Sequence, residues 1–181
     1  QIQGFFDMPV DNLYTAPLFA KYIKKKLKNK KLICVSPDVG GVARTRALAT
    51  RIKADLAIID KRRPAPGKSE VMNIIGYVKN KTCIIVDDII DSGGTIVNAV
   101  EELKKNGANE VYVFITHAVL SGDAVKRIKN SKIKKLIITD TIDNSQKIKN
   151  NNKIEVLSIA SLMSEAIKRI ENSNSVSDLF N

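Results

Sequence analysis

The chain has 181 residues, the size of one domain, long enough to bury roughly 70% of its unfolded surface without disulfide or metal staples. Hydrophobic residues make up 44% and charged residues 27%. No apolar run reaches the roughly 18 residues that cross a bilayer, and Gln1–Phe6 lacks the pattern of a signal peptide. Two cysteines exclude a disulfide scaffold and fit a reducing, cytoplasmic compartment. The formal charge is 30 − 19 = +11, which raises nucleic acid as a partner. Lysines outnumber arginines 23 to 7 along the whole chain, and aromatic residues are only 5%, so stacking platforms for bases are scarce. The expectation is no nucleic acid and no membrane; small anionic substrates suit the same positive field.

Along the chain, Leu18, Phe19, Tyr22, Ile23 and Leu27 recur at helical spacing within a basic run, Lys21 to Lys31. That predicts a helix with a solvated lysine face. Short runs rich in Ile and Val follow: Leu32 to Val35, Leu56 to Ile59, Cys83 to Val86, Val111 to Ile115, Leu136 to Ile138 and Ile154 to Leu157. They are nearly continuous, as in strands buried on both faces. Helical patterns lie between or after them, over Val42–Ile52, Thr95–Asn106, Asp123–Asn130 and Leu162–Asn172. This alternation predicts an α/β fold, a mainly parallel sheet flanked by helices. Residues 145–153 read as an exposed loop. The tail from Ser173 reads as polar, with Leu179 and Phe180 able to dock. Cys34 and Cys83 fall inside apolar strands and read as core residues.

Ligands of open parallel sheets sit beyond the carboxyl ends of the strands, and three such ends carry unusual chemistry. In the first, an apolar strand runs into Asp87 and Asp88, then Asp91-Ser92-Gly93-Gly94-Thr95, then a helix. The glycines let backbone approach a ligand closely. The helix start offers free N–H groups and positive potential, and Ser92 and Thr95 add hydroxyls. Together these predict a phosphate site. Asp87 and Asp88 repel phosphate and call for hydroxyls or a metal. A sugar phosphate carrying a diol satisfies both halves. A plain surface turn capped by Asp91 or Ser92 leaves the two strand-end carboxylates unexplained.

The second end, Ser36-Pro37-Asp38-Val39-Gly40-Gly41, again exposes glycine N–H groups before a helix bearing Arg44 and Arg46. Asp38 is a candidate Mg²⁺ ligand, or an ordinary cap of that helix. The third is Asp60-Lys61-Arg62-Arg63-Pro64-Ala65-Pro66-Gly67-Lys68-Ser69. Prolines and glycine there preclude regular structure. The segment is either a solvated basic loop or a cationic cover that stabilises charge on a transferring phosphoryl group. His117, the one histidine, follows a strand and reads as a phosphate contact or as a packed, capping side chain; it has no partner for a metal cluster.

Taken together, Gln1-Ile2-Gln3-Gly4-Phe5-Phe6, Ser36 to Gly41, Asp60 to Pro64 and Val86 to Thr95 resemble the ribose-phosphate pyrophosphokinase family. So do Thr116-His117, Ser121-Gly122 and Thr139-Asp140-Thr141-Ile142. The resemblance implies a phosphoribosyltransferase-like fold. It also implies transfer of the β,γ-diphosphoryl group of ATP, with Mg²⁺, to the anomeric hydroxyl of ribose 5-phosphate. By similarity, Asp87 and Asp88 hold ribose hydroxyls, and Asp91, Ser92, Gly93, Gly94 and Thr95 cradle the 5-phosphate. Ser36, Pro37, Asp38, Val39, Gly40 and Gly41 form the diphosphate loop, with Asp38 on the metal. Lys61 and Arg63 are the catalytic cations. The family has two such domains and forms hexamers. The resemblance therefore implies that this chain is a single carboxyl-terminal domain, with residues 1–15 an interdomain segment. Its partners would be a missing amino-terminal domain and further copies, and alone it is expected to be inactive. A phosphoribosyltransferase acting on a nucleobase, and a non-catalytic phosphoribosyl-binding regulatory subunit, share the Asp87–Thr95 signature and stay open as alternatives.

Overall fold

The computed structural model describes residues 2–62 and 71–180. Seven strands form one sheet: β1 (Leu32–Ser36), β2 (Asp55–Arg62), β3 (Val71–Ile75), β4 (Thr82–Ile90), β5 (Glu110–Ala118), β6 (Lys135–Thr139) and β7 (Ile154–Leu157). Their order is β3-β2-β1-β4-β5-β6-β7. Every pairing is parallel except that of β2 with β3. The helices are α1 (Ala16–Lys26), α2 (Val42–Ile52), α3 (Gly94–Lys105), α4 (Ala124–Asn130), the single turn α5 (Ser145–Ile148) and α6 (Ala160–Glu171).

Alternation along each strand divides the core into two layers. Ile33, Val35, Cys83, Ile85, Val111, Val113, Leu136 and Ile138 face one side, where α3 and α4 bring Ile96, Ala99, Val100, Leu103 and Ile128. Cys34, Ile84, Val86, Tyr112, Phe114 and Ile137 face the other, where α1 and α2 bring Phe19, Ile23 and Leu48, with Leu27 just past the end of α1. The rings of Phe19 and Phe114 meet at 5.3 Å. Strands buried on both faces explain the continuous apolar runs. Cys34 and Cys83 lie in opposite layers, and burial pushes both thiols up to about 12, so they are inert core residues. No helix among the described residues is long and apolar enough to cross a membrane.

The architecture matches the expected α/β sheet, with local corrections. β3 was not anticipated. It is an edge strand of alternating exposure, and its lone antiparallel pairing gives it none of the continuous apolar character of a central strand. β2 runs on through Lys61 and Arg62, which pair with Met72 and Val71. Asp60 to Arg62 are therefore strand rather than loop. The cationic segment from Arg63 to Ser69 lies outside the described residues. β4 extends to Ile90 because it pairs with β5 as far as Ala118, so Asp87 and Asp88 stand within the strand, near its end, and not after it. Residues 145–148 form a helical turn where a loop was expected. The tail folds back on α6, where the guanidinium of Arg169 donates to the Ser175 carbonyl at 2.8 Å and to Asp178 at 2.9 Å.

Candidate functional site

The chain leaves β1 toward β2 on one side and reaches β5 through β4 on the other, so the strand order reverses between β1 and β4. A crevice opens outside the carboxyl ends at such a reversal. Two of the three predicted segments, residues 36–41 after β1 and 87–95 at the end of β4, meet there. Lys61 sits one strand further out, on β2 opposite Met72. Arg63 lies outside the described residues.

The turn after β1 is held by its own side chains. The buried Ser36 hydroxyl donates to the Asp38 carbonyl at 2.6 Å, and the Gly41 N–H donates to Asp38 Oδ1 at 2.8 Å. A Cβ on Gly41 would stand 2.9 Å from Ser36 Oγ, which is why this position is glycine. The N-cap of α2 is Gly41 and no side chain caps that helix, so the exposed Asp38 braces the turn ahead of α2, rather than capping the helix, with one oxygen. That leaves the second oxygen to serve another partner. Val39 and Gly40 are exposed beside it.

The turn after β4 is held from outside. The Ile90 carbonyl accepts from the N–H groups of Val119 and Leu120 at 2.9 and 3.3 Å, and the Asp91 carbonyl from Ser121 at 3.3 Å. Arg127 of α4 donates to the Ser92 carbonyl. The carbonyls are thereby drawn back into the protein. Gly93, at φ 75°, turns the chain into α3, and no side chain caps that helix. Asp91, Ser92 and Thr95 are exposed around its start. A helix N-terminus with carbonyls turned away and hydroxyls alongside is chemically suited to an anion.

Asp87 and Asp88 are bridged by Arg44 in the first turn of α2. One guanidinium nitrogen donates to Asp87 Oδ1 and the other to Asp88 Oδ2, the latter at 2.8 Å. Backbone N–H groups complete the arrangement: Asp88 N–H to Asp87 Oδ1 at 3.0 Å and Ile89 N–H to Asp88 Oδ1 at 2.9 Å. Burial pushes Asp87 up to about 6. The neighbouring Asp88 carboxylate pushes the same way, against the pull of the Asp88 N–H and of Arg44.

His117 lies inside β5, opposite Ile89. Its Nδ1 is 3.1 Å from Thr141 Oγ1. Thr141 and Thr139 in turn donate to the Thr116 carbonyl at 2.9 and 2.6 Å. The Thr-His and Thr-Asp-Thr motifs, 23 residues apart, thus converge on one hydroxyl network that ties β5 to the end of β6. His117, Arg44, Asp88 and Ile89 also border a cavity of about 760 Å³ closed by residues 12–16. Residues 36–41 and 91–95 are not in its lining.

Arg44 and Arg127 were not assigned roles in the sequence. A signal existed for Arg44: a cation in the first turn of a helix opposes the macrodipole, so its place there calls for an acidic partner. Nothing in the local pattern around Arg127 reveals its contact with Ser92, 35 residues away.

Residues 61–181 match the model of the phosphoribosyl synthetase-associated domain. The chain belongs to that family. The ribose-phosphate pyrophosphokinase of Bradyrhizobium diazoefficiens is 58% identical over 180 residues, which are 99% of this chain and 57% of the relative. That of Brucella melitensis is 56% identical, over 99% of this chain and 58% of the relative. A crystal structure of phosphoribosylpyrophosphate synthetase from Mycobacterium smegmatis aligns with a TM-score of 0.86 at 37% identity, over 96% of this chain and 56% of that one. The chain therefore spans a little over half the length of the relatives it matches. The resemblance to the ribose-phosphate pyrophosphokinase family is met by these likenesses.

Proposed function

We propose that this chain carries the ribose 5-phosphate site of a cytoplasmic ribose-phosphate pyrophosphokinase. In the reaction, the anomeric hydroxyl of ribose 5-phosphate attacks the β-phosphorus of Mg-ATP, AMP leaves, and phosphoribosyl diphosphate forms. The observation that carries the reading is the pairing, at one strand crossover, of an uncapped helix start at Gly93–Thr95 with two carboxylates on the strand that leads into it. The first suits a phosphate and the second suits adjacent hydroxyls. A ribose phosphate carries both. The relatives' names point to the same substrate.

In this reading, the N–H groups and hydroxyls of residues 91–95 take the 5-phosphate, and Asp87 and Asp88 accept from ribose hydroxyls. Residues 36–41 offer N–H groups and the second Asp38 oxygen toward the diphosphate. Lys61 and Arg63 supply positive charge to the transferring group. The chemistry is positioning and charge neutralisation, with little covalent work for the protein. Among the described residues no cluster of three or more His, Cys, Asp or Glu could hold a metal. A single exposed hard oxygen at Asp38 suits Mg²⁺, which keeps waters and is held largely by substrate phosphates. Bound there, it would neutralise phosphate charge. Nucleotide contacts and an oligomeric assembly belong, in this proposal, with the part of the relatives outside the matched span. This chain alone then binds ribose 5-phosphate without turning it over.

The experiment is AMP release from Mg-ATP by the protein extended over the full span of its relatives. AMP appearing only with ribose 5-phosphate, and matched by phosphoribosyl diphosphate, is the expected result. Consumption of phosphoribosyl diphosphate with a nucleobase, and no AMP from ATP, would overturn it in favour of a transferase.

A further inference from the structure

We propose that Arg44 is the positioning residue for sugar recognition: its guanidinium fork holds Asp87 and Asp88 as one paired acceptor for two adjacent hydroxyls. The inference rests on the ribose-phosphate reading and adds to it a residue that makes the carboxylate pair selective. Three observations support it. Among the described residues, Arg44 donates to both carboxylates, one through each terminal nitrogen. It reaches them from α2, on the face of the sheet opposite α3 and its anion site, so the fork and a bound phosphate need not compete for space. Each carboxylate is fixed twice, once by Arg44 and once by a backbone N–H, which leaves its orientation determined before any ligand arrives.

The electrostatics run the same way. Two neighbouring carboxylates tend to share a proton, and a protonated partner offers a donor where the sugar needs an acceptor. A guanidinium across both favours two acceptors. Holding it in the first turn of α2, against the helix dipole, is unfavourable unless the carboxylates are there to receive it. A lysine could neutralise the charge but lacks the planar fork that fixes both partners at once.

The test is calorimetric titration of this chain with ribose 5-phosphate, 2-deoxyribose 5-phosphate and inorganic phosphate, in the wild type, Arg44→Gln and Arg44→Lys. The wild type is expected to prefer ribose 5-phosphate to its deoxy analogue. Arg44→Gln should lose about tenfold of that preference, the scale of one charge-assisted hydrogen bond, while its affinity for inorganic phosphate holds. Arg44→Lys should recover part of the preference, and it serves as the working variant should Arg44→Gln fold poorly. Equal losses for all three ligands would mean a general structural role and overturn the assignment, as would a preference unchanged in both variants. A wild type that does not distinguish the two sugars would overturn the functional reading, and this inference with it.

Discussion

The two turns at the crossover solve one problem in opposite ways. Both take the chain from a buried strand into a helix through paired glycines. The turn at residues 36–41 is self-contained: Ser36 and Asp38 bond to its own backbone. The segment 87–95 bonds its two acids to its own backbone as well, but it is held mainly by others, with Arg127, Val119, Leu120 and Ser121 gripping its carbonyls and Arg44 its carboxylates. A self-held turn spends its acid on its own shape. An externally held one keeps its N–H groups and hydroxyls for a ligand. In the proposed function the second is therefore the better binding surface and the more exposed to distant mutation.

The sharpest way to break that contrast is at the carboxylates. The double variant Asp87→Asn, Asp88→Asn should weaken ribose 5-phosphate by roughly 3 kcal/mol, two charge-assisted hydrogen bonds' worth, with phosphate affinity retained. Titration calorimetry with both ligands checks this, and a parallel loss of phosphate binding would contradict the division of labour. A stability effect of opposite sign comes next. Asp87 is raised from 3.8 to about 6, so between those values the folded state binds more protons than the unfolded one. Stability accordingly falls as pH rises from about 4 to 6 and stays lower above that. Asp87→Asn should remove this slope and be more stable than wild type at pH 8, as urea unfolding at pH 4 and pH 8 would show.

The glycines sharpen the comparison further. Gly93→Ala places a side chain at φ 75° and should cost about 1–2 kcal/mol of stability. Gly40→Ala meets only Asp38 Oδ1 at 3.4 Å and should stay within about 0.5 kcal/mol of wild type. Equal costs at the two positions, measured by thermal denaturation, would remove the distinction. A modest effect on binding is expected from Arg127→Ala, which frees the Ser92 carbonyl and should weaken inorganic phosphate by about 1 kcal/mol.

Much of this was legible in the sequence because strands buried on both faces announce themselves. Ile84-Ile85-Val86 and Val113-Phe114-Ile115 leave no other reading, and each is followed by a helix. Residues 36–41 and 87–95 could be assigned to strand ends from their glycines and acids alone. β3 could not, because an antiparallel edge strand with exposed Asn73 and Ile75 looks like loop unless its partner is known. The ends of β4 and β5 were set too early for a related reason: Ile89 and His117 are exposed, yet they pair with each other, and pairing is invisible in a single strand. The Arg44 fork escaped for the deepest reason. Its partners lie 43 and 44 positions away, and only the sheet order brings them together.

That order also governs how the site comes into being as the chain folds. β1 joins β4 with Ile33 opposite Cys83, fifty positions further on, and β2 and β3 are laid down in the excursion between. Closing so long a loop is an entropic barrier that local helix formation does nothing to lower. The strand ends that carry Asp38 and Asp87 consequently lie side by side only in chains that have already completed the central pairing. Partly folded forms carry two unconnected turns and half a site each. Ligand affinity is then a report on the integrity of the sheet, and a bound sugar phosphate should slow amide exchange across β1 and β4 before it does so at the sheet's edges.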